Sequence, residues 1–511
     1  MNHGVSRPLA RIAACLSDVA IIPTRLRISL VILALVLTGC TVGPDYRPPE
    51  TKAPDAWAET ADDIAAGEAT VVSWWTLFED PQLTDLVGRA VRSNQNLKLA
   101  QARIHQAQAQ RMVAAAAGLP SLDASGSYTR YSRSGSAFGS TTGGAAGGLS
   151  PTAFGSGGDL YQAGVDGNWN LDVFGGVRRS VEAANANIGA AQEDLRDTLV
   201  TLLGQVATNY FTIRGNQRRI AVALDNLRTQ EDTVRVAQGR LEAGLGSRLE
   251  VAQAETLLAT TESQLPALEI SVRQAIHQLG VLIGSEPESL LPELLEPRLL
   301  VRPPVEVPVG LPADLLRRRP DIRRAERQLA AATAQVGVAV ADLFPKLSLT
   351  GGYGYQSTNA SSLVTPGSEY WNWGPGLTLP LFSGGQIRGN IRVQTAIQEQ
   401  ALATYENTVL IALQSVEDAI TAYTQTEAAR ASLTRAVDAS REATQISQDL
   451  YQKGLVDFLN VLQSETSLYQ AQDRLMQNEQ QTLTSLVALF QALGGGWEVL
   501  AAEPQTTEKK G

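Results

Sequence analysis

The 511-residue sequence predicts an α+β membrane protein, a tandem-duplicated protomer of a trimer whose strands close a twelve-stranded β-barrel that long helices continue. Three observations predict it. The chain repeats itself, each repeat carries two strands patterned for a lipid–water boundary, and each carries long proline-free helices joined at a glycine.

The repeat shows in two registers. At an offset of 210, Gly244-Leu245 aligns with Gly454-Leu455, Val206 with Val416, Leu249 with Leu459 and Val251 with Val461. In the same register Gln253 meets Gln463, Glu255 meets Glu465, Leu265 meets Leu475 and Gly284 meets Gly494. At an offset of 225, Pro120 aligns with Pro345, Leu122 with Leu347, Gly126 with Gly351 and Tyr128 with Tyr353. The difference is absorbed between Tyr128 and Trp169, where the first half has the longer loop. A constant register with one localised insertion marks a duplication.

The elements follow in the same order twice. The first repeat, 81–286, should hold a helix at 81–117, strands at 121–131 and 160–174, and a helical hairpin of 177–243 with 249–284. The second, 311–496, should hold a helix at 311–342, strands at 346–356 and 370–382, and a hairpin of 387–453 with 456–493. Pro287, Pro292, Pro297, Pro303, Pro304 and Pro308 punctuate a linker at 287–310, and 497–511 is a tail. Segment 40–80 reads as a leader running extended over the surface.

The strand pattern has period two. In the second strand Tyr161, Ala163, Val165, Gly167, Trp169 and Leu171 face one way, and Gln162, Asp166, Asn168 and Asn170 face the other. In the fourth, Trp371, Trp373, Pro375 and Leu377 oppose Asn372, Gly374, Gly376 and Thr378. With Tyr353 and Tyr355, the aromatic residues Tyr161, Trp169, Trp371 and Trp373 suit membrane interfaces, and the small polar face suits a water-filled lumen. The Gly- and Ser-rich stretch 132–159 reads as a flexible external loop. Four strands cannot close a barrel, and an open edge in lipid leaves backbone groups unpaired. Barrels of this kind start at about eight strands, so three chains of four strands each is the smallest useful closure.

The helical stretch 177–243 contains no proline and at 1.5 Å per residue reaches roughly 100 Å. Ile213, Ile220, Leu227, Val234 and Leu241 recur every seven residues, the coiled-coil period. Each long helix should pair with two shorter ones stacked end to end. Turns at Gly244-Leu245-Gly246-Ser247 and Gly454-Leu455 reverse the chain.

The amino terminus reads as a signal. Arg7, Arg11, Arg25 and Arg27 precede the apolar run Ile28–Thr38, too short to span a bilayer core of about 30 Å as a helix. It ends in Leu37-Thr38-Gly39-Cys40, which resembles a bacterial lipobox, so 1–39 should be a lipoprotein signal peptide and Cys40 the acylated first residue. Cys15 falls in the removed segment, which leaves no pair for a disulfide. The alternative is an ordinary secretory signal with an incidental cysteine.

Other classes find little support. The net charge of −10 has no basic block, so nucleic acid is not an expected partner. His105 and His277 stand alone on amphipathic helices, and no zinc, phosphate-loop or Cys-x-x-Cys motif occurs. The expectation is no enzyme, no metal and no cofactor.

These features resemble one family. Cys40-Thr41-Val42-Gly43-Pro44-Asp45-Tyr46 looks like the mature start of outer-membrane efflux lipoproteins of the NodT/OprM type, relatives of TolC. The stretches Leu241–Glu255 and Tyr451–Glu465 resemble its two periplasmic hairpin tips, and Asn170–Gly176 and Leu379–Gly385 its strand-to-helix crossings. The resemblance covers nearly everything after residue 40. It implies a homotrimer: a β-barrel in the outer membrane and a twelve-helix α-barrel in the periplasm. A periplasmic membrane-fusion adaptor would dock at Gly244, Leu245, Ser247, Gly454 and Leu455, and hand on substrate from an inner-membrane resistance-nodulation-division pump. The alternative is the duct of a type I protein secretion system.

In TolC-like proteins a Tyr, an Arg and two Asp on the second hairpin constrict the closed tip. The matching positions here are Tyr451, Val456, Asn460 and Gln463, with Asp457 nearby. Only the Tyr is kept, so closure should rely on packing and neutral hydrogen bonds. Asp457 then either gives one acidic ring or caps the helix that starts beside it.

Overall fold

The computed structural model describes residues 41–50, 54, 56–58, 64–65, 72–132, 157–298, 301, 307–308, 312 and 317–498. The expected signal peptide at 1–39, Cys40, most of the expected loop at 132–159 and most of the expected tail at 497–511 lie outside them. The chain forms two compact units. One holds residues up to Arg47, Gln108–Ala186 and Ala330–Glu399; the other holds Pro48–Ala107, Asn187–Leu329 and Gln400 onward.

The first unit is organised by a four-stranded antiparallel sheet: β1 (Ser121–Ser132), β2 (Gly157–Leu171), β3 (Lys346–Ser357) and β4 (Glu369–Thr378), in that spatial order. Its register aligns the faces across all four strands. Leu122 pairs with Gly167, Val165 with Tyr353 and Tyr353 with Trp371, all on one face. Asp123 pairs with Asp166, Asp166 with Gly352 and Gly352 with Asn372, all on the other. Because side chains alternate strictly along a strand, this register keeps every aromatic of the set on one surface.

Two strands stop earlier than their pattern suggests. β2 ends at Leu171 instead of 174 because Asp172 turns its carboxylate to the following helix, accepting hydrogen bonds from the backbone N–H of Val177 (3.1 Å) and Arg178 (2.9 Å). β4 ends at Thr378 instead of 382, two residues before Pro380, which has no N–H to donate.

The helices are α1 (Pro81–Ser93), α2 (Gln95–Ala116), α3 (Gly176–Glu242), α4 (Arg248–Glu262), α5 (Leu265–Leu282), α6 (Pro320–Ala341), α7 (Gln386–Gln452) and α8 (Phe458–Ala492). α3 and α7 have 67 residues each, and their bounds differ by the same 210 as the sequence repeat. β1 and β3, twelve residues each, differ by 225. Gly and polar residues inside α3 are tolerated because its apolar stripe is packed: Ile213, Leu227 and Val234 are buried and Ile220 half-buried.

Three helices depart from the sequence reading. The helix expected at 81–117 breaks at Asn94, whose Oδ1 accepts from the N–H groups of Asn96 and Leu97 and whose Nδ2 donates to the Leu282 carbonyl. The one expected at 249–284 breaks at Ser263-Gln264, where Pro266 enters the first turn of α5. Among the described residues the one expected at 311–342 is interrupted at Arg319, just before α6 starts at Pro320, and a one-turn helix, Leu291–Leu294, lies within the expected linker.

The leader needs a larger correction. It is not extended throughout: Trp74–Phe78 forms a 3-10 turn whose Trp74, Trp75 and Phe78 are buried. Trp74 stacks on Phe490 with ring centroids 5.3 Å apart, and Phe78 meets Phe211 at 4.9 Å. With Leu83, Leu279, Leu203, Val416 and Leu486 they form the main core of the second unit. Burying three large aromatics outweighs the local preference for an open chain.

Candidate functional site

The two hairpin tips close in the same way. Gly244 and Gly454 adopt φ of +73° and +72°, the left-handed conformation that glycine reaches without strain. Each donates to a carbonyl three residues back, Leu241 and Tyr451, and the next residue reaches five back: Leu245 to Arg240 (2.8 Å) and Leu455 to Leu450 (2.9 Å). This double bond pattern satisfies the last carbonyls of α3 and α7. Ser247 then caps α4 by accepting from the Glu250 N–H. The geometry leaves Leu245 and Leu455 70% and 67% exposed, with Leu249 and Leu459 exposed behind them. Matched apolar side chains thus stand at the same point of each tip, largely uncovered by the described residues.

The sequence-selected aperture residues separate into two groups. Asp457, Asn460 and Gln463 are exposed. Asp457 occupies the N-cap position of α8, yet its side chain makes no capping bond; the N–H of Asn460 bonds its backbone carbonyl instead. Tyr451 is 5% exposed and faces the first hairpin. Its hydroxyl donates to Glu250 Oε2 at 2.7 Å, its ring lies 4.6 Å from the Arg240 guanidinium carbon, and Phe458 packs on it at 5.1 Å. Burial, reinforced by the Glu250 carboxylate, pushes the Tyr451 hydroxyl up to about 12. Val234, Ala237, Val251, Ala254 and Val461 complete this small core between the hairpins.

One turn further along lies Glu465. It is buried, and its Oε1 accepts from Thr233 Oγ1 (2.6 Å) and Gln448 Nε2 (2.8 Å), which ties α3, α7 and α8 together. Its other oxygen has no partner among the described residues. Burial raises its pKa, and these two hydrogen bonds offset only part of the rise. Sequence reasoning missed Glu250, Arg240 and Glu465 as residues that join the two hairpins. Glu250 had a signal, three residues after Ser247 in the spacing of a capping box. Glu465 had only its repeat match to Glu255, which is exposed.

On the sheet, Trp371 and Trp373 are 71% and 73% exposed, and Tyr353 is exposed on the same face. Trp169 donates its indole N–H to the Gly118 carbonyl at 2.9 Å, fixing the ring at the turn before β1. Tyr161 packs on Tyr128 at 4.9 Å with the rings tilted by 36°, and Tyr353 meets Tyr355 edge-on. The polar face carries short bonds of its own, Ser125 to Asp166 and Gln162 Nε2 to the Tyr370 hydroxyl. An apolar aromatic surface opposite a hydrogen-bonded polar one is the pattern of a barrel wall between lipid and water.

This architecture agrees with known proteins. The family model described as "Outer membrane efflux protein" matches residues 86–285 and 311–495, one stretch in each repeat. Nodulation protein T of Rhizobium leguminosarum bv. viciae is 33% identical over 481 residues, covering 92% of this chain and 94% of that protein. The solvent efflux pump outer membrane protein SrpC of Pseudomonas putida is 31% identical over 475 residues, covering 91% and 97%. The solved outer-membrane channel OprN superposes with a TM-score of 0.82 at 35% identity, covering 90% of this chain and all of that one.

The chain belongs to the outer membrane efflux protein family. It has the fold of one tandem-duplicated protomer of that family's trimeric channels, resides in the outer membrane with its helices extending into the periplasm, and serves as the exit duct of an efflux system. The secretion-duct alternative is not favoured, since the family model, SrpC and OprN are described as efflux or channel proteins.

Proposed function

We propose that three copies of this chain close one barrel and conduct, passively, substrates that a resistance-nodulation-division pump passes through a periplasmic adaptor. The observation that carries this reading is the sheet's two open edges. Among the described residues β1 pairs only with β2, and β4 only with β3, while one face of the sheet is aromatic and exposed. Unpaired backbone groups in hydrocarbon each carry a penalty of several kcal/mol, so the edges need partners from other copies. Leu245 and Leu455, presented by Gly244, Ser247 and Gly454, supply apolar docking points for the adaptor.

In this reading the protein performs no catalysis. Energy comes from the pump, and the tips need only open. Cys40 carries the acyl chains, and Trp371, Trp373 and Tyr353 anchor the barrel wall at the lipid boundary. Asp457, exposed beside Asn460 and Gln463, contributes one acidic ring at the aperture. Bilayer recordings of Asp457→Ala should show reduced cation preference; unchanged selectivity would remove the ring from the account.

The assembly is tested by native mass spectrometry of protein extracted from outer membranes. Three chains per particle are expected, each lacking residues 1–39 and carrying fatty acyl mass. A particle of one or two chains would contradict the closure argument.

A further inference from the structure

Residues 41–45 are strapped onto the first unit by a built receptor. The Val42 N–H donates to the Phe174 carbonyl at 3.2 Å. Arg179, only 4% exposed, donates Nε to the Val42 carbonyl at 3.1 Å and Nη2 to both the Gly43 carbonyl and Asp45 Oδ1, the last at 2.7 Å. Two glycines make room for the strap. A Cβ on Gly175 would lie 2.5 Å from Thr41 Cγ2, and one on Gly43 would lie 2.5 Å from the Gly337 Cα. A buried arginine that spends two nitrogens on an N-terminal segment fixes where that segment begins.

The strap runs beside a cavity of about 400 Å³ at the strand-to-helix crossing. Its walls are mainly apolar, with Leu171, Val173, Phe174, Val177, Val338 and Leu347 among them, and Asp172, Asp342 and Lys346 on its polar part. The same Phe174 accepts the strap's hydrogen bond, and Val338 follows the Gly337 that the strap touches. The residue preceding Thr41 in sequence is Cys40, one Cα step of about 3.8 Å away.

We infer that this cavity is the docking site for one acyl chain of Cys40, with Arg179 as the residue that positions it. The inference rests on the proposed acylation of Cys40. The strap supplies the address: its Val42 N–H bonds the carbonyl of Phe174, a wall residue of the cavity, and the residue before Thr41 is the one that would bear the lipid. The anchor is then seated in the protein at the crossing instead of floating on a free tether, which fixes the height of the barrel wall relative to the membrane surface.

The test uses the full chain in outer membranes of cells fed an alkyne-tagged fatty acid, with a benzophenone amino acid in place of Val338. Irradiation should join position 338 to the tagged N-terminal peptide that begins at Cys40. Arg179→Gln should retain the tag on Cys40 and lower that cross-link at least fivefold, while a probe at Leu377, out on the sheet, should not give it. Capture of free phospholipid at 338, capture of a second copy of this chain, or equal yields at 338 and 377 would each overturn the docking. A Cys40 that takes up no tag, visible in the gel before irradiation, would overturn the acylation reading itself and the docking with it.

Discussion

Tyr451 and Glu465 are the residues on which contact between the two hairpins turns, and both should make that contact sensitive to pH. The Tyr451 hydroxyl, ordinarily near 10, is raised to about 12 by burial and by the Glu250 carboxylate. A raised value means that the folded contact holds the proton more tightly, so its contribution is complete below about pH 10 and is lost as pH rises through about 12. Tyr451→Phe should speed hydrogen exchange at the tip amides near neutral pH, consistent with the loss of about 1 kcal/mol from one net hydrogen bond, and should remove the alkaline transition.

Glu465 is likewise raised, by burial first. Its contribution is complete below its ordinary value of 4.5 and fades as pH climbs through the higher folded value. Glu465→Gln keeps an acceptor for Thr233 and Gln448 but never ionises. It should slow tip exchange at neutral pH relative to the unmodified chain and abolish the acid dependence. Glu465→Ala should do the reverse, because Gln448 Nε2 loses its acceptor at a penalty of about 1–3 kcal/mol while Thr233 keeps only the Thr229 carbonyl, at 3.1 Å. At this scale the sequence told part of the story. Tyr451 was visible from its place in a recognisable tip motif, but its partner Glu250 lies 201 residues away, and no local pattern encodes that meeting.

Among the elements, the glycine turns are the sharpest prediction. Nothing lies within 4 Å of a Cβ built on Gly454, so Gly454→Ala introduces backbone strain without a clash. A left-handed non-glycine residue is disfavoured by about 1–2 kcal/mol. Exchange at the Leu455 amide, bonded to the Leu450 carbonyl, should therefore accelerate roughly 5- to 30-fold with little change elsewhere. An unchanged rate would mean that the turn is not what holds this tip.

The long helices were legible because a heptad stripe without proline admits little else, and α3 and α7 fall within one residue of the ranges read from the pattern. The breaks at Asn94 and Ser263 were not legible. Asn94 interrupts its helix only because its side chain also finds the Leu282 carbonyl, far away in sequence. Trp74–Phe78 was misread for the same reason: its stacking partner, Phe490, is near the other end of the chain.

For the molecule as a whole, the sheet decides most. A four-stranded sheet with an exposed aromatic face and two edges open among the described residues is incomplete as a single copy in lipid. Alternation along β2 and β4 made that legible from residues alone, because period-two patterning and strand count together demand closure. The strap of residues 41–45 was not legible, since it depends on Arg179 and on close approach at Gly175 and Gly337, and no periodicity announces such contacts.

The central claim, that this chain is the outer-membrane exit of an efflux system, is tested most directly by accumulation in intact cells. A deletion strain would be loaded with a panel of chemically unrelated dyes and antibiotics, with and without the gene restored. The account predicts that several of these compounds build up on deletion, and that the restored gene clears them while the pump remains unchanged. If none builds up and a protein instead disappears from the culture medium, the duct serves secretion, and the efflux account is contradicted.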